Sequence, residues 1–137
     1  MKGNRRLGRV LAVKSLYPRR LNLADPQKVY RDLIQGKDYS RKALSFSERI
    51  IEKMDENLEE VDRVIIEVLE NWSWDRICAM DKSILGVAVT ELLYIPENPP
   101  RVVINEAIEI AKKYSTEKSG KFVNGILDKI AKKRGLL

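Results

Sequence analysis

Apolar residues recur every three or four positions along most of the chain, the spacing that places them on one side of an α-helix. No segment combines strict alternation with hairpin turns, which would indicate strands. The pattern therefore predicts an all-α protein of about seven helices, with residues 1–137 forming one domain. The stripes lie near residues 5–17, 29–34, 50–69, 77–95, 103–111 and 117–134.

Residues that begin or end helices separate these stripes. Asp25-Pro26 has the form of an N-cap followed by proline at the first helical position, and Thr116 is placed to cap the last helix. Pro18 is expected to end the first helix, because proline lacks the N–H group that a helix interior needs. Gly36 is a natural stop for the second helix.

The long stripe 40–69 allows two interpretations. It forms either one helix or two helices with a bend near Asn57. The helix begins at Ser45, which matches a capping box with the glutamate three residues later, or it begins earlier at Ser40. After this stripe the stretch "NWSWDR" interrupts the pattern, and Ser73 or the aspartate two residues later is placed to cap the next helix.

Charge is distributed unevenly along the chain. Residues 1–20 carry seven bases and no acid, and residues 111–137 carry eight bases and two acids. The segment 21–110 carries eighteen acids against eleven bases. If the two ends meet in the fold, they form one positive surface that suits a polyanion. The alternative is that both ends are solvated, lysine-rich termini.

The composition offers little material for catalysis or metal binding. The chain has no histidine, and its one cysteine, Cys78, is interpreted as a small core residue. The stretch "STEKSGKFVNG" superficially resembles a phosphate-binding loop, but Phe122 stands where that loop needs Ser or Thr, and no strand precedes it. Glu91 lies among apolar residues, where pairing with an arginine or a helix terminus is favoured over a role as catalytic acid. We therefore expect no enzyme activity, cofactor, metal or small-molecule substrate.

Signals for membranes or secretion are missing from the sequence. No apolar run approaches the roughly 20 residues that span a bilayer. The start "MKGNRRLGRV" lacks the apolar centre of a signal peptide. The single cysteine excludes an internal disulfide bond and favours a reducing compartment. We expect a cytoplasmic protein.

Basic and aromatic residues near both ends of the chain are candidates for nucleic-acid contacts. Guanidinium groups at the start of the first helix suit phosphate oxygens, and lysines at the start of the last helix add charge to its free backbone N–H groups. One aromatic ring in each region offers a surface for an unpaired base, although each ring also suits a core. The candidates are Arg5, Arg6, Arg9 and Tyr17 in the first region and Lys118, Lys121 and Phe122 in the second.

Gly125 lies inside the last predicted helix, where a glycine costs about 1 kcal/mol relative to alanine. A close approach by another helix or by a nucleic-acid strand would offset this cost. Of the two, we favour tight packing between helices.

Four stretches of the sequence carry a more specific signal. They are "RRLGRVLAVKSLY" at 5–17, "NWSWDRICAMDKSILGVAVTELLY" at 71–94, "VVINEAIEIAKKY" at 102–114 and "SGKFVNGILDKIAKK" at 119–133. Together they resemble the NusB family of bacterial transcription antitermination factors. The combination of "INEAIEIAKKY" with "KFVNGILD" is the most specific part, whereas the segment 20–60 matches only in its helical pattern.

The resemblance implies a fold of two small helix bundles packed together, without enzymatic activity. It implies that the chain pairs with NusE, a small-subunit ribosomal protein, and that the pair binds the single-stranded boxA element of nascent RNA. RNA polymerase then resists termination, chiefly on ribosomal RNA operons. Because NusE-type proteins are basic, the acidic middle of the chain is the expected docking side. The alternatives are an accessory module of an assembly that modifies ribosomal RNA and, more distantly, a small enzyme using buried carboxylates.

The resemblance also assigns roles to particular positions. It maps the family's RNA-facing positions onto the basic and aromatic candidates above and adds Asn124 to the second region. Asp81 on the central helix is implied to meet a NusE arginine. Gly86 departs from the family, many of whose members carry a basic residue there, and is expected to soften the central helix. Lys118 stands where an acid is common and is expected to strengthen RNA binding.

Overall fold

The computed structural model describes residues 3–137, among which six α-helices and one 3-10 turn account for all the regular structure. The all-α class is confirmed, with six α-helices and a short turn where about seven helices were predicted. None of these helices is long and apolar enough to cross a bilayer. The elements are α1 (Gly3–Arg20), α2 (Pro26–Ile34), α3 (Arg41–Glu67), the turn Trp74–Arg76, α4 (Ala79–Tyr94), α5 (Pro100–Tyr114) and α6 (Glu117–Lys133).

The helices form the two bundles that the family resemblance implied. Helices α1, α2 and α3 pack together in the first bundle, and α4, α5 and α6 pack together in the second. Helix α4 also packs against both α1 and α3, and its residues 83–92 are all buried. A helix surrounded in this way needs apolar side chains on every side, which explains its unbroken apolar run.

Local sequence determines most helix boundaries as predicted. Asp25, Ser40 and Thr116 each accept a hydrogen bond from the backbone N–H three residues later, at 3.3, 3.1 and 3.0 Å. These side chains satisfy N–H groups that the first turn of a helix leaves without a partner. Helix α3 therefore begins after Ser40, and Ser45 lies inside it. Gly36 follows the end of α2 with a φ of 74°.

Of the two interpretations of the stretch 40–69, the one with a bend near Asn57 is observed. Asn57 has φ −127° and ψ 19°, outside the helical region, and helix α3 continues on both sides of it. The side-chain amide of Asn57 donates a hydrogen bond to the carbonyl of Lys53 at 2.8 Å, so it takes part in the local hydrogen bonding at the bend. This competition between a side chain and the backbone is typical of asparagine within helices.

Pro18 does not end α1, contrary to the prediction. The helix continues through Pro18 to Arg20, whose guanidinium donates two hydrogen bonds to Asp62 of α3 at 2.7 and 2.8 Å. The same guanidinium lies 5.4 Å from the centre of the Trp74 ring. Contacts with distant parts of the chain thus hold the last turn of α1 in helical form.

Gly86 provides the space that Arg20 occupies. A Cβ atom at position 86 would lie 2.9 Å from Arg20 Nη2 and 2.9 Å from Leu16 Cδ2, closer than real Cβ contacts allow. Helix α4 is continuous through Gly86. In this chain, therefore, glycine at position 86 leaves room for a guanidinium from α1 beside α4.

Cys78 is exposed, and its interpretation as a core residue is wrong. Ser73 precedes the 3-10 turn rather than capping α4, which begins only after Cys78. Ile77 and Cys78 both have extended backbone. Successive side chains on extended backbone point to opposite sides. Because Ile77 is buried, its neighbour Cys78 faces outwards.

Two glycines within helices have opposite surroundings. Gly125 is exposed, and no atom lies within 4 Å of the position that its Cβ would take, so the tight packing predicted there is wrong. Gly8 of α1 lies against α3, where a Cβ would be 2.9 Å from Phe46 Cδ2 and 3.1 Å from the carbonyl oxygen of Ala43. Gly8 therefore lets the first and third helices approach closely.

We expect Gly8→Ala to lower the free energy of unfolding by about 1–3 kcal/mol, because the added methyl group meets backbone as well as ring atoms. Gly125→Ala is the matched control, since the same change in open space should raise the free energy of unfolding by about 0.5–1 kcal/mol. Urea unfolding followed by far-UV circular dichroism measures both. Shifts of the same sign would contradict this account of the two positions.

Candidate functional site

Two arginines at the start of α1 are engaged by acids of the second bundle. Arg9 donates from Nε and Nη2 to the two carboxylate oxygens of Glu91, at 2.7 and 2.6 Å. Their side chains are 4% and 0% exposed. Arg6 donates in the same bidentate way to Glu106 of α5, at 3.0 and 2.6 Å, and Arg9 Nη1 reaches Glu106 at 3.4 Å. The predicted pairing of Glu91 with an arginine is confirmed.

Arg9 consequently differs from the other members of the predicted arginine cluster. Its guanidinium is buried, and leaving Glu91 unpaired in the core would cost about 3–5 kcal/mol. The phosphate contact expected of Arg9 is therefore not supported by its position, and its role here is to join α1 to α4. Arg6 is still partly exposed, and the hydrogen bonds that it donates to Glu106 raise its pKa above the ordinary value. Arg5 is exposed beside the Phe46 ring.

A groove of about 250 Å³ runs between α1 and the second half of α5; we call it the Tyr114 groove. The ammonium groups of Lys14 and Lys113 each lie 5.4 Å from the centre of the half-buried Tyr114 ring. Tyr17 is three residues after Lys14 and therefore lies on the same face of α1. The groove combines cations with an aromatic surface. Its lining residues are Gly3, Arg6, Leu7, Val10, Glu109, Ile110, Lys113 and Tyr114.

A second groove of about 410 Å³ lies between the start of α4 and the start of α6; we call it the Trp72 groove. Its surface is mainly apolar, and two aromatic rings contribute to it. The rings of Trp72 and Phe122 meet edge to face with centroids 5.4 Å apart, and Trp72 is 58% exposed. Such a large exposed ring is typical of a surface that a partner covers. Arg76 and Lys118 add two cations to the same groove.

Asp81 lines the Trp72 groove with one carboxylate oxygen unpaired. Its Oδ2 accepts a hydrogen bond from Ser119 Oγ at 3.0 Å. Its Oδ1 is buried and has no hydrogen-bond partner among residues 3–137. A buried acceptor without a donor is costly, so a donor supplied by a ligand would be stabilised here. The position suits a basic side chain of a binding partner.

The two grooves meet at the turn between α5 and α6. Tyr114 lines the first groove and the next residue, Ser115, lines the second. Lys121 and Asn124 are exposed on α6. They follow Lys118 at intervals of three residues, which places them near one face of the helix. The start of α1 therefore lies on one side of the turn between α5 and α6, and the start of α6 lies on the other.

Several residues of these grooves had no role in the sequence-based prediction. Lys113 and Tyr114 line the first groove with Lys14 close to the Tyr114 ring, and Trp72 and Arg76 line the second. For the first groove, the available signal in the sequence was the lysine pair before Tyr114 in "AKKY". This pair lies just ahead of the capped start of α6. In "NWSWDR" the signal was a tryptophan placed between two helices rather than on an apolar stripe.

Comparison with known proteins identifies the family. Residues 6–132 match the model of the NusB family. The chain belongs to this family. The transcription antitermination protein NusB of Elusimicrobium minutum is 42% identical over 139 residues, which cover 96% of each chain. That of Chloroherpeton thalassium is 41% identical over 126 residues and 91% of this chain, which spans 60% of that relative's length.

Solved NusB structures have the same fold. Thermotoga maritima NusB matches with a TM-score of 0.87 and 41% identity, over 96% of this chain and 93% of that one. A crystal structure of the antitermination factors NusB and NusE in complex with double-stranded RNA matches with a TM-score of 0.87 and 28% identity, over 96% and 98% of the two chains. The NusB fold predicted from the sequence motifs is thereby confirmed.

We expect Arg9→Met and Glu91→Leu each to lower the free energy of unfolding by about 3–5 kcal/mol, because each change leaves the other charge buried without its partner. The double variant should recover much of this loss, because no lone charge remains between α1 and α4. Denaturant unfolding of the unchanged protein, the two single variants and the double variant gives the four free energies of this double-mutant cycle.

The exposed pair Arg49 and Glu97 provides the matched control for this cycle, with side chains 49% and 47% exposed. Removing either partner there should change the free energy of unfolding by less than about 1 kcal/mol. Strictly additive losses for the buried pair would contradict the coupling.

Proposed function

We propose that this NusB family member is a transcription antitermination factor that binds boxA-type single-stranded RNA together with NusE. In this role it supports transcription of ribosomal RNA operons by RNA polymerase. The observation that carries the proposal is the junction of the Tyr114 and Trp72 grooves at one turn. One groove offers cations and an aromatic ring, and the other offers an unpaired buried carboxylate oxygen beside exposed aromatic rings. The NusB–NusE–RNA complex of a family relative supports both partners.

The RNA face of the proposal follows the Tyr114 groove and the exposed side of α6. Ammonium and guanidinium groups there bind phosphates, and the Tyr114 ring stacks on a base. The open space at Gly125 lets an RNA strand approach α6 closely. This close approach, rather than packing between helices, is the function proposed for the glycine. The proposed contacts are Arg5, Arg6, Tyr17, Lys118, Lys121, Phe122 and Asn124, together with Lys14, Lys113 and Tyr114, while Arg9 positions α1.

The NusE face of the proposal lies in the Trp72 groove. An arginine or lysine of NusE donates to the free oxygen of Asp81, and the Trp72 and Phe122 rings pack against the apolar part of the same segment. Asp81 belongs to the acidic middle of the chain, which attracts a basic protein. Lys118 lines this groove as well as bordering the RNA face. NusE and RNA are therefore neighbours here, which explains why they bind together.

The hydrogen bonding of Glu91, a fully buried acid, fits a binding role without catalysis. Glu91 accepts two hydrogen bonds from Arg9 and one from Asn98 at 2.8 Å, so its oxygens are already occupied. Because the proposed ligands are nascent RNA and its polymerase complex, we place the protein's action in the bacterial cytoplasm. Residues 1–137 are proposed to act as one domain.

We expect Lys118→Gln/Lys121→Gln to weaken boxA binding roughly three- to tenfold and to make the salt dependence shallower. The slope of log Kd against log salt should fall by about 1.4, since each phosphate contact on a single strand contributes about 0.7. Fluorescence anisotropy at several salt concentrations measures this for the chain with NusE.

The charge-matched control for the lysine pair is Arg63→Gln/Arg134→Gln. Arg63 and Arg134 are exposed on late α3 and just after α6, and we expect this control to bind boxA as the unchanged protein does. Unchanged boxA affinity in the lysine variant would place the RNA elsewhere.

We expect Asp81→Asn to weaken NusE binding about ten- to a hundredfold, because the free oxygen loses its charge while the side chain keeps its shape. The melting temperature should change little, since Asn retains an oxygen for Ser119. Calorimetric titration with NusE measures the affinity. Normal NusE affinity in this variant would exclude Asp81 from the interface.

A further inference from the structure

A third depression, of about 540 Å³, lies beside the first turn of α1 and opens toward α3; we call it the α1–α3 cleft. Helix α1 contributes Asn4 and Arg5 to it, whereas Gly3 and Arg6 line the Tyr114 groove. The first turn of α1 therefore borders both. The part of the cleft on α3 consists of Arg41, Lys42, Ser45, Phe46 and Arg49.

The α1–α3 cleft carries an excess of positive charge. Four of its seven lining residues are basic. Arg41 donates to Glu48 at 3.0 Å, and Arg49 pairs with Glu97. Arg5 and Lys42 form no salt bridge with any residue in the described range 3–137, which leaves two cations for a ligand.

The backbone around the cleft reinforces this charge. The cleft lies at the start of α3, where the first N–H groups of a helix lack partners within it and the helix dipole favours an anion. Ser40 caps α3 and donates from its hydroxyl to Asn4 Oδ1 at 2.7 Å, so the two helices are joined at the edge of the cleft. The close approach at Gly8 fixes the same pair of helices a turn further on.

Arg5 is held at the cleft before any ligand arrives. Its guanidinium carbon lies 4.8 Å from the centre of the Phe46 ring. The pKa of Glu97 is lowered, chiefly by its hydrogen bonds with Arg49 and in addition by the charge of Arg5. Arg5 and Arg49 line the same cleft and Arg49 pairs with Glu97, although three separate segments of the chain supply these residues. A cation fixed in this way loses little side-chain freedom when it binds.

The cleft suits phosphates rather than bases. Phe46 is 5% exposed, so its buried ring offers no surface for stacking. Guanidinium groups match phosphate oxygens in shape and charge. The Tyr114 groove is adjacent across a helix only about 10–12 Å wide, so one polyanionic strand can reach both sites. This continuity favours RNA over an acidic protein.

We propose that the α1–α3 cleft binds phosphates of the RNA backbone through Arg5, Arg41 and Lys42, which extends the RNA face around the start of α1. This inference rests on the proposed function, because the strand must already occupy the Tyr114 groove. The cleft contributes affinity without reading sequence, since its donors meet only the backbone.

The test is Arg41→Gln/Lys42→Gln, two exposed residues on the surface of α3. Fluorescence anisotropy with NusE present measures Kd for a boxA RNA and for a scrambled RNA of equal length at several salt concentrations. We expect both RNAs to bind roughly three- to tenfold more weakly, so the ratio of their two Kd values should not change. The slope of log Kd against log salt should become shallower by about 1.4. The control is again Arg63→Gln/Arg134→Gln, which changes residues toward the other end of α3, a helix roughly 40 Å long. We expect this control to leave both affinities unchanged.

Other outcomes separate the possible failures. If the unchanged protein does not bind boxA RNA, the proposed function is wrong, and this inference falls with it. If Lys118→Gln/Lys121→Gln weakens binding but Arg41→Gln/Lys42→Gln does not, only the cleft proposal is overturned. If Arg41→Gln/Lys42→Gln changes boxA affinity but not scrambled affinity, the cleft reads bases and the backbone role is wrong. If that variant abolishes binding of a poly-glutamate peptide and leaves both RNAs unaffected, the cleft receives an acidic protein instead.

Discussion

The buried ion pair between Arg9 and Glu91 is the constraint on which the arrangement of the helices depends. Helix α4 is enclosed on nearly all sides, and a carboxylate inside it is stable only with a matched donor. Arg9 supplies that donor from α1, and Asn98 adds a hydrogen bond from the loop before α5. Because both charges are buried, the two bundles cannot slide past each other without breaking the pair. Arg6 and Glu106 extend the same connection to α5.

Because of this connection, some basic residues of α1 take part in buried contacts and others stay exposed on the surface. Arg9 is buried in the network, Arg6 is shared between Glu106 and solvent, and Arg5 remains exposed. Holding α1 beside α5 brings Lys14 close to Tyr114, so a cationic groove results from an architectural contact. The positive charge of this groove therefore comes from Lys14 and Lys113 beside Tyr114 as well as from Arg6.

The Trp72 groove adds a different kind of surface to the same region. An unpaired oxygen of Asp81 and the exposed Trp72 ring are both costly in the isolated chain, and the proposed NusE contact covers both. Lys118 lies in this groove on the helix that also faces the proposed RNA strand. In the proposed complex, RNA and NusE are therefore neighbours at this helix.

The sequence by itself determined the helical pattern, the caps at Asp25 and Thr116 and the family, because periodicity, capping and motifs depend on neighbouring residues. It left open whether α3 begins at Ser40 or Ser45 and whether it bends near Asn57. Only the tertiary structure decided that Arg9 lies inside, that Cys78 lies outside and that α1 continues past Pro18. Each of these depends on residues distant in the chain or on the direction in which a segment leaves the core. Glu91 is 82 positions from Arg9, and no local pattern shows that the two will meet.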